Sequence, residues 1–243
     1  MTDATQTPSP APSPNEARWY MTGHVAYFLA TGIQGVLISW LVTIVLAESP
    51  ERVGIAQMFS MLPMLVFIMV GGAAADRAEL RSHLVRLQVF LALPSLVLAA
   101  TILSDSLNYW VVLAYVGVMS TTAAWIVPAR DSLLTRIAMR SMGGAIPHAV
   151  AMATAAQFAA QVIGMLVAAA AGLFGAVPYL VFHSAMSLLT AFSTSRLDEA
   201  LPTPRGAQKH SRFKEMMEGM SMTLADPDIR AIMILMGIGG IFY

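Results

Sequence analysis

Residues 53–75, VGIAQMFSMLPMLVFIMVGGAAA, contain no charged side chain. About 20 such residues, wound as a helix, cross the hydrocarbon core of a bilayer. The pattern recurs along the chain. Apolar runs lie at 20–47, 53–75, 84–104, 108–129, 145–171 and 176–195, and another begins near Ile229. Charges gather between the runs. Only 12% of the 243 residues are charged and 57% are hydrophobic, whereas a soluble domain carries roughly 25% charged residues. Unpaired backbone groups in lipid cost several kcal/mol each, so every run must be helical. The expected fold is an all-α polytopic membrane protein: a six-helix bundle followed by the start of a seventh helix.

The basic residues set the orientation, because Lys and Arg collect on the cytoplasmic side. Of the fourteen, Arg52 alone falls in a loop of one parity. The others fall in the tail (Arg18), after span 2 (Arg77, Arg81, Arg86), after span 4 (Arg130, Arg136, Arg140) and after span 6 (Arg196, Arg205, Lys209, Arg212, Lys214, Arg230). The N-terminus is therefore expected in the cytoplasm, with the chain multi-pass in the plasma (inner) membrane. Net charge is zero and cysteine is absent. Nothing draws the chain to nucleic acid, and neither disulfides nor thiolate metal sites are open to it.

The expected organisation has four parts. Residues 1–18, rich in Pro, Ser and Thr, read as a disordered cytoplasmic tail. Residues 19–196 form the six-helix transmembrane bundle. Residues 197–228 form a cytoplasmic linker. In it, Phe213, Met216, Met217, Met220 and Leu224 share one helical face, as in an amphipathic helix on the membrane surface. Residues 229–243 begin helix 7, with Asp226 suited to cap it and Pro227 to its first position. That run holds about fifteen apolar residues, roughly 22 Å of helix. The chain is accordingly expected to be a fragment of a longer product.

Three stretches carry a resemblance. GAAADRAELR at the turn after span 2 has small residues where two helix ends can approach, then a fixed carboxylate. VPARDSLLTRI covers 127–137, and FKEMMEGMSMTLADPDIRAIMIL covers 213–235. The first resembles the signature loop of the major facilitator superfamily through Gly72, Asp76, Arg77 and Arg81. Glu79 stands where that loop has a second glycine, so a glycine conformation is lost there. The second resembles, through Pro128, Ala129, Arg130, Leu133 and Leu134, a segment after helix 4 in the branch containing the enterobactin exporter. The third resembles that branch's linker and the start of its helix 7. Pro63, Gly32 and Gln34 fit the same pattern. The resemblance implies a twelve-helix secondary transporter, of which this chain matches the first half. It also implies that the Asp76 carboxylate helps latch the two halves on the cytoplasmic side; because Arg130 ends span 4 on that same side, Asp76 is expected to pair with Arg130 or with a helix N-terminus.

Candidate site residues follow from the cost of polarity in lipid. Gln34, Thr122, Trp125, Gln157 and Gln161 are candidates for a substrate cavity, with Tyr27, Thr31, Tyr115, Met119 and Thr154 on neighbouring stripes. Interhelical hydrogen bonding is the competing reading for the glutamines, and close packing for Gly164, Ala168 and Gly172. Among His24, His148 and His183, the last is the candidate proton relay, since imidazole titrates near neutrality. No phosphate-binding loop, nucleophile elbow or metal-ligand spacing is present. No enzymatic activity, cofactor or metal is expected. The expected partners are a small-molecule substrate, the lipid bilayer, and either the missing C-terminal half or a second copy. The expected function is efflux of a small molecule by alternating access. Uptake by the same fold and a non-transporting membrane partner are the alternatives. A reporter fused after Arg205 should behave as cytoplasmic and one fused near Ser106 as external; swapped signals would defeat these spans.

Overall fold

The structure is a computed structural model that describes residues 15–198. Most of the expected tail, the linker beyond Asp198 and the expected seventh helix lie outside the described residues.

Among the described residues every regular element is helical. Helix α1 covers Glu16–Trp40 and runs on into a π-helical turn, Leu41–Val45. It is followed by α2 (Pro50–Ala75), α3 (Leu80–Leu103) and α4 (Tyr109–Ser141). After these come α5 (Ile146–Ala168), a single turn α6 (Ala171–Phe174) and α7 (Val177–Ser195). Pro50, Pro147 and Pro178 sit in the first turns of α2, α5 and α7, where the missing N–H would be unpaired anyway. Asn108 caps α4, its Oδ1 accepting from the N–H of Trp110 and Val111. Gly143 and Gly144, with φ of +61° and +80°, fold α5 back on α4.

Five helices are long and apolar enough to cross a membrane: α1 with its π turn, α2, α3, α4 and α5. The expected sixth span, α7, is not among them. It has 19 residues, about 28 Å of helix, so it falls short in composition rather than length. Its buried side explains why: His183, Ser184, Ser187, Thr190, Ser193 and Thr194 all turn inward. Span 4 was expected to end at 129, but α4 continues to Ser141 and reaches 33 residues, about 50 Å. Pro128 and Arg130 therefore lie inside a helix rather than after one. A helix satisfies its own backbone in water as in lipid, so charge alone does not end it.

Helix α2 packs along α4, α1 against α5 and α7, and α3 against α7 and α4. Lipid chains are as apolar as Leu, so the hydrophobic effect does little to bring helices together there; close contact does. The crossing of α1 and α5 is built on two glycines. A Cβ on Gly32 would meet the Gln161 carbonyl, and one on Gly164 the Leu29 carbonyl. Gly71 stands in the same relation to the Ala124 carbonyl where α2 crosses α4. Gly172, expected as a packing residue, has nothing within 4 Å of its Cβ position; it sits in the α6 turn, beyond the α1–α5 crossing. At one end of the bundle Glu16 is fully buried (0% exposed). It accepts from Arg140 Nη2 and, at 2.7 Å, from Ser141 Oγ, tying the start of α1 to the end of α4.

Gly32→Val should force α1 and α5 apart and destabilise the bundle by about 1–3 kcal/mol or more, whereas Gly172→Ala should be nearly neutral. Thermal unfolding of the purified chain in mild detergent checks both; equal midpoints would refute the glycine crossing.

Candidate functional site

The turn between α2 and α3 holds Asp76 and Arg77, with Gly72 in the last turn of α2 and Arg81 in the first turn of α3. Asp76 is exposed and closes α2, its N–H reaching the Gly72 carbonyl at 3.1 Å. Glu79 does not need a glycine conformation, since its φ is −71°. Its carboxylate instead caps α3, accepting from the N–H of Arg81 at 3.0 Å and of Ser82 at 2.6 Å. The departure from the signature pattern thus replaces a flexible turn with a helix cap. Arg81 Nη1 donates to the Leu197 carbonyl at 3.1 Å, joining this loop to the chain just after α7.

Arg130 does not form the expected pair with Asp76. It is buried, at 6% exposure, and its Nη2 donates to His24 Nδ1 at 2.7 Å. Its guanidinium carbon lies 4.2 Å from the Tyr27 ring centre and 4.7 Å from that of Phe28. Arginine offers only donors, so His24 Nδ1 must accept and its proton sits on Nε2. From there it donates to the Ala153 carbonyl at 2.9 Å. One histidine therefore links α1, α4 and α5. The sequence places Arg130 among the basic residues after span 4, on the side expected to face the cytoplasm, where it could reach water. The ring stack on Tyr27 and Phe28, one helical turn on from His24, turns it inward.

These residues form part of the wall of a cavity of about 700 Å³ between α1, α2, α4, α5 and α7. Gln34, Gln157 and Gln161 line it, as do Tyr27, Thr31, Met119 and His183. Thr122 and Trp125 do not. Thr122 donates to the Val118 carbonyl and faces a separate surface groove with Phe59 and Phe90. Trp125 lies on the α2 seam, its Cα beside the Gly71 Cβ position. Thr154 and His148 are exposed and outside the lining. Helix α2 supplies Gln57, Ser60, Met61 and Met64, which sequence reading passed over. The spacing of Gln57, Ser60 and Met64, on one face of an otherwise apolar run, was the available signal.

His183 and Ser187 enter from α7. His183 Nδ1 lies 2.9 Å from Ser95 Oγ, and Ser95 Oγ lies 3.2 Å from the Tyr115 hydroxyl. The chain Tyr115–Ser95–His183 thus runs through buried α3 and α4 positions to the cavity wall.

A family model described as a transmembrane secretion effector matches residues 14–239. The chain belongs to this family. It is a multi-pass membrane protein and a transporter of the major facilitator type. No curated protein and no solved structure matches the chain significantly.

Ser95→Ala would leave the Tyr115 hydroxyl and His183 Nδ1 without this buried partner. The expected loss is about 1–3 kcal/mol, read as a lower thermal midpoint in detergent; an unchanged midpoint would show that the network is not formed.

Proposed function

We propose that this chain is the first bundle of an exporter that carries a small molecule outward by alternating access. The observation that carries the reading is the cavity itself. It is walled by methionines and rings, with Gln34, Gln57, Gln157 and Gln161 as neutral polar groups beside the charged Arg130 and Asp131, the composition of a site for a ligand with a largely apolar body. The outward direction is supported by the resemblance of VPARDSLLTRI and the linker to the enterobactin-exporter branch. In this reading α7 is the sixth span, shielded by its neighbours despite its polar side. The N-terminus is cytoplasmic in the plasma membrane, and His183 passes protons between the cavity and Ser95. The exposed apolar faces of α2 and α5, including Leu65, Val66, Phe158 and Leu166, fit a second six-helix bundle, either the remainder of the protein or another copy.

Ethidium, Nile red and carboxyfluorescein, a cation, a neutral dye and an anion, can be loaded into cells with and without the gene. At least one dye should leave expressing cells faster, and Gln34→Leu with Gln161→Leu should restore retention. Equal loss of all three dyes overturns export, and faster loss from cells lacking the gene favours uptake.

A further inference from the structure

Arg130 is a buried cation with no described carboxylate within ion-pair distance. Among the described residues ion pairs form between Glu48 and Arg52 and between Glu16 and Arg140, and Arg130 takes part in neither. Its direct contacts are neutral: the acceptor nitrogen of His24 and the faces of Tyr27 and Phe28. Ring faces attract a cation and offset part of its desolvation, but they carry no negative charge. Taking a guanidinium out of water costs several kcal/mol unless an opposite charge answers it. Asp131, next in the chain, also lines the cavity, but it is exposed and not paired with Arg130. The rest of the lining brings glutamines, serines, Thr31 and His183, but no further carboxylate.

We propose that Arg130 is the seat for the acidic group of an organic anion, whose apolar body lies among Met61, Met64, Met119 and Met165. The assignment rests on the reading of this cavity as the cargo site, and it adds the cargo's chemical class. The geometry is that of a prepared receptor. The rings hold the planar fork, and His24, itself anchored to the Ala153 carbonyl, fixes its rotation. A guanidinium held in this way leaves donors for a carboxylate, which it binds through two parallel hydrogen bonds. The glutamine amides supply further neutral contacts to the ligand. A volume of about 700 Å³ admits a molecule of drug size.

The test uses the full 243-residue chain, purified in mild detergent, with tritiated 2-naphthoate as probe and 2-naphthamide as its uncharged counterpart. The wild-type chain should bind naphthoate saturably and about tenfold more tightly than the amide, the worth of one charge-assisted contact. Arg130→Gln should erase that preference while leaving amide binding in place, and Arg130→Lys should keep part of it. Asp131→Asn alters an exposed residue and removes the nearby negative charge, so it should tighten naphthoate binding even if Arg130→Gln proves unstable. Equal binding of the two probes to the wild-type chain, absent naphthoate binding, or undiminished preference in a folded Arg130→Gln chain would overturn the assignment. So would an Asp131→Asn chain that binds naphthoate no better than wild type. Naphthoate binding by the chain without dye export from cells would sink the transport reading alone; carboxyfluorescein export unaffected by Arg130→Gln would sink the anion seat alone.

Discussion

Helices in a bilayer hold together only where they can touch, and in this bundle the closest touches are backbone on backbone. Gly32 and Gly164 let α1 and α5 meet at two successive points, and Gly71 does the same for α2 and α4. Leucine contacts would not substitute, because lipid offers the same dispersion energy as a leucine side chain. With those crossings set, Gln34, Gln157 and Gln161 come to face one space from two helices. The cavity is thus a product of where the backbones meet as much as of which side chains surround it.

The same crossing carries the electrostatics. His24 and Leu29 lie on one helix, and Ala153 and Gly164 on the other, so the hydrogen bond from His24 to the Ala153 carbonyl spans the pair that the glycines bring together. Arg130 then hangs from His24 and from the rings of Tyr27 and Phe28. A buried cation is tolerated here because three weak partners, one nitrogen acceptor and two ring faces, share its desolvation, with no carboxylate among them. A structural arginine would have been cheaper as a paired one, and Arg140 with Glu16 shows that the bundle can build such a pair.

The helical spans were readable because bilayer thickness imposes a length and lipid forbids charge, and both leave marks in the sequence at 53–75 as clearly as anywhere. The ends of helices were less readable. Nothing in PARDSLLTRI marks a stop, since a helix that leaves the membrane keeps its own hydrogen bonds, and α4 ran on to Ser141. Glu79 looked like a lost glycine and turned out to be a cap, because one side chain can satisfy the two amides that a turn would have exposed. Gln34, Gln157 and Gln161 were picked from polarity alone. Thr122 and Trp125 were equally polar candidates on α4, but the rotation of that helix about its axis, set by Gly71 against Ala124, turned them away. The direction of Arg130 was beyond sequence, for it depends on rings that lie about a hundred positions earlier in the chain.

Helix α4, at about 50 Å, is longer than the roughly 30 Å hydrocarbon layer, and it keeps its bond to α1 near its far end. Glu16 and Arg140 act there as a pin through two rods. Sliding α1 past α4 by a single residue, about 1.5 Å, would strand the buried carboxylate, at a cost of about 3–5 kcal/mol. Tilting the two helices together breaks nothing. The pin therefore favours one kind of motion over the other: α1 and α4 tilting together keep it, whereas sliding past each other strains it.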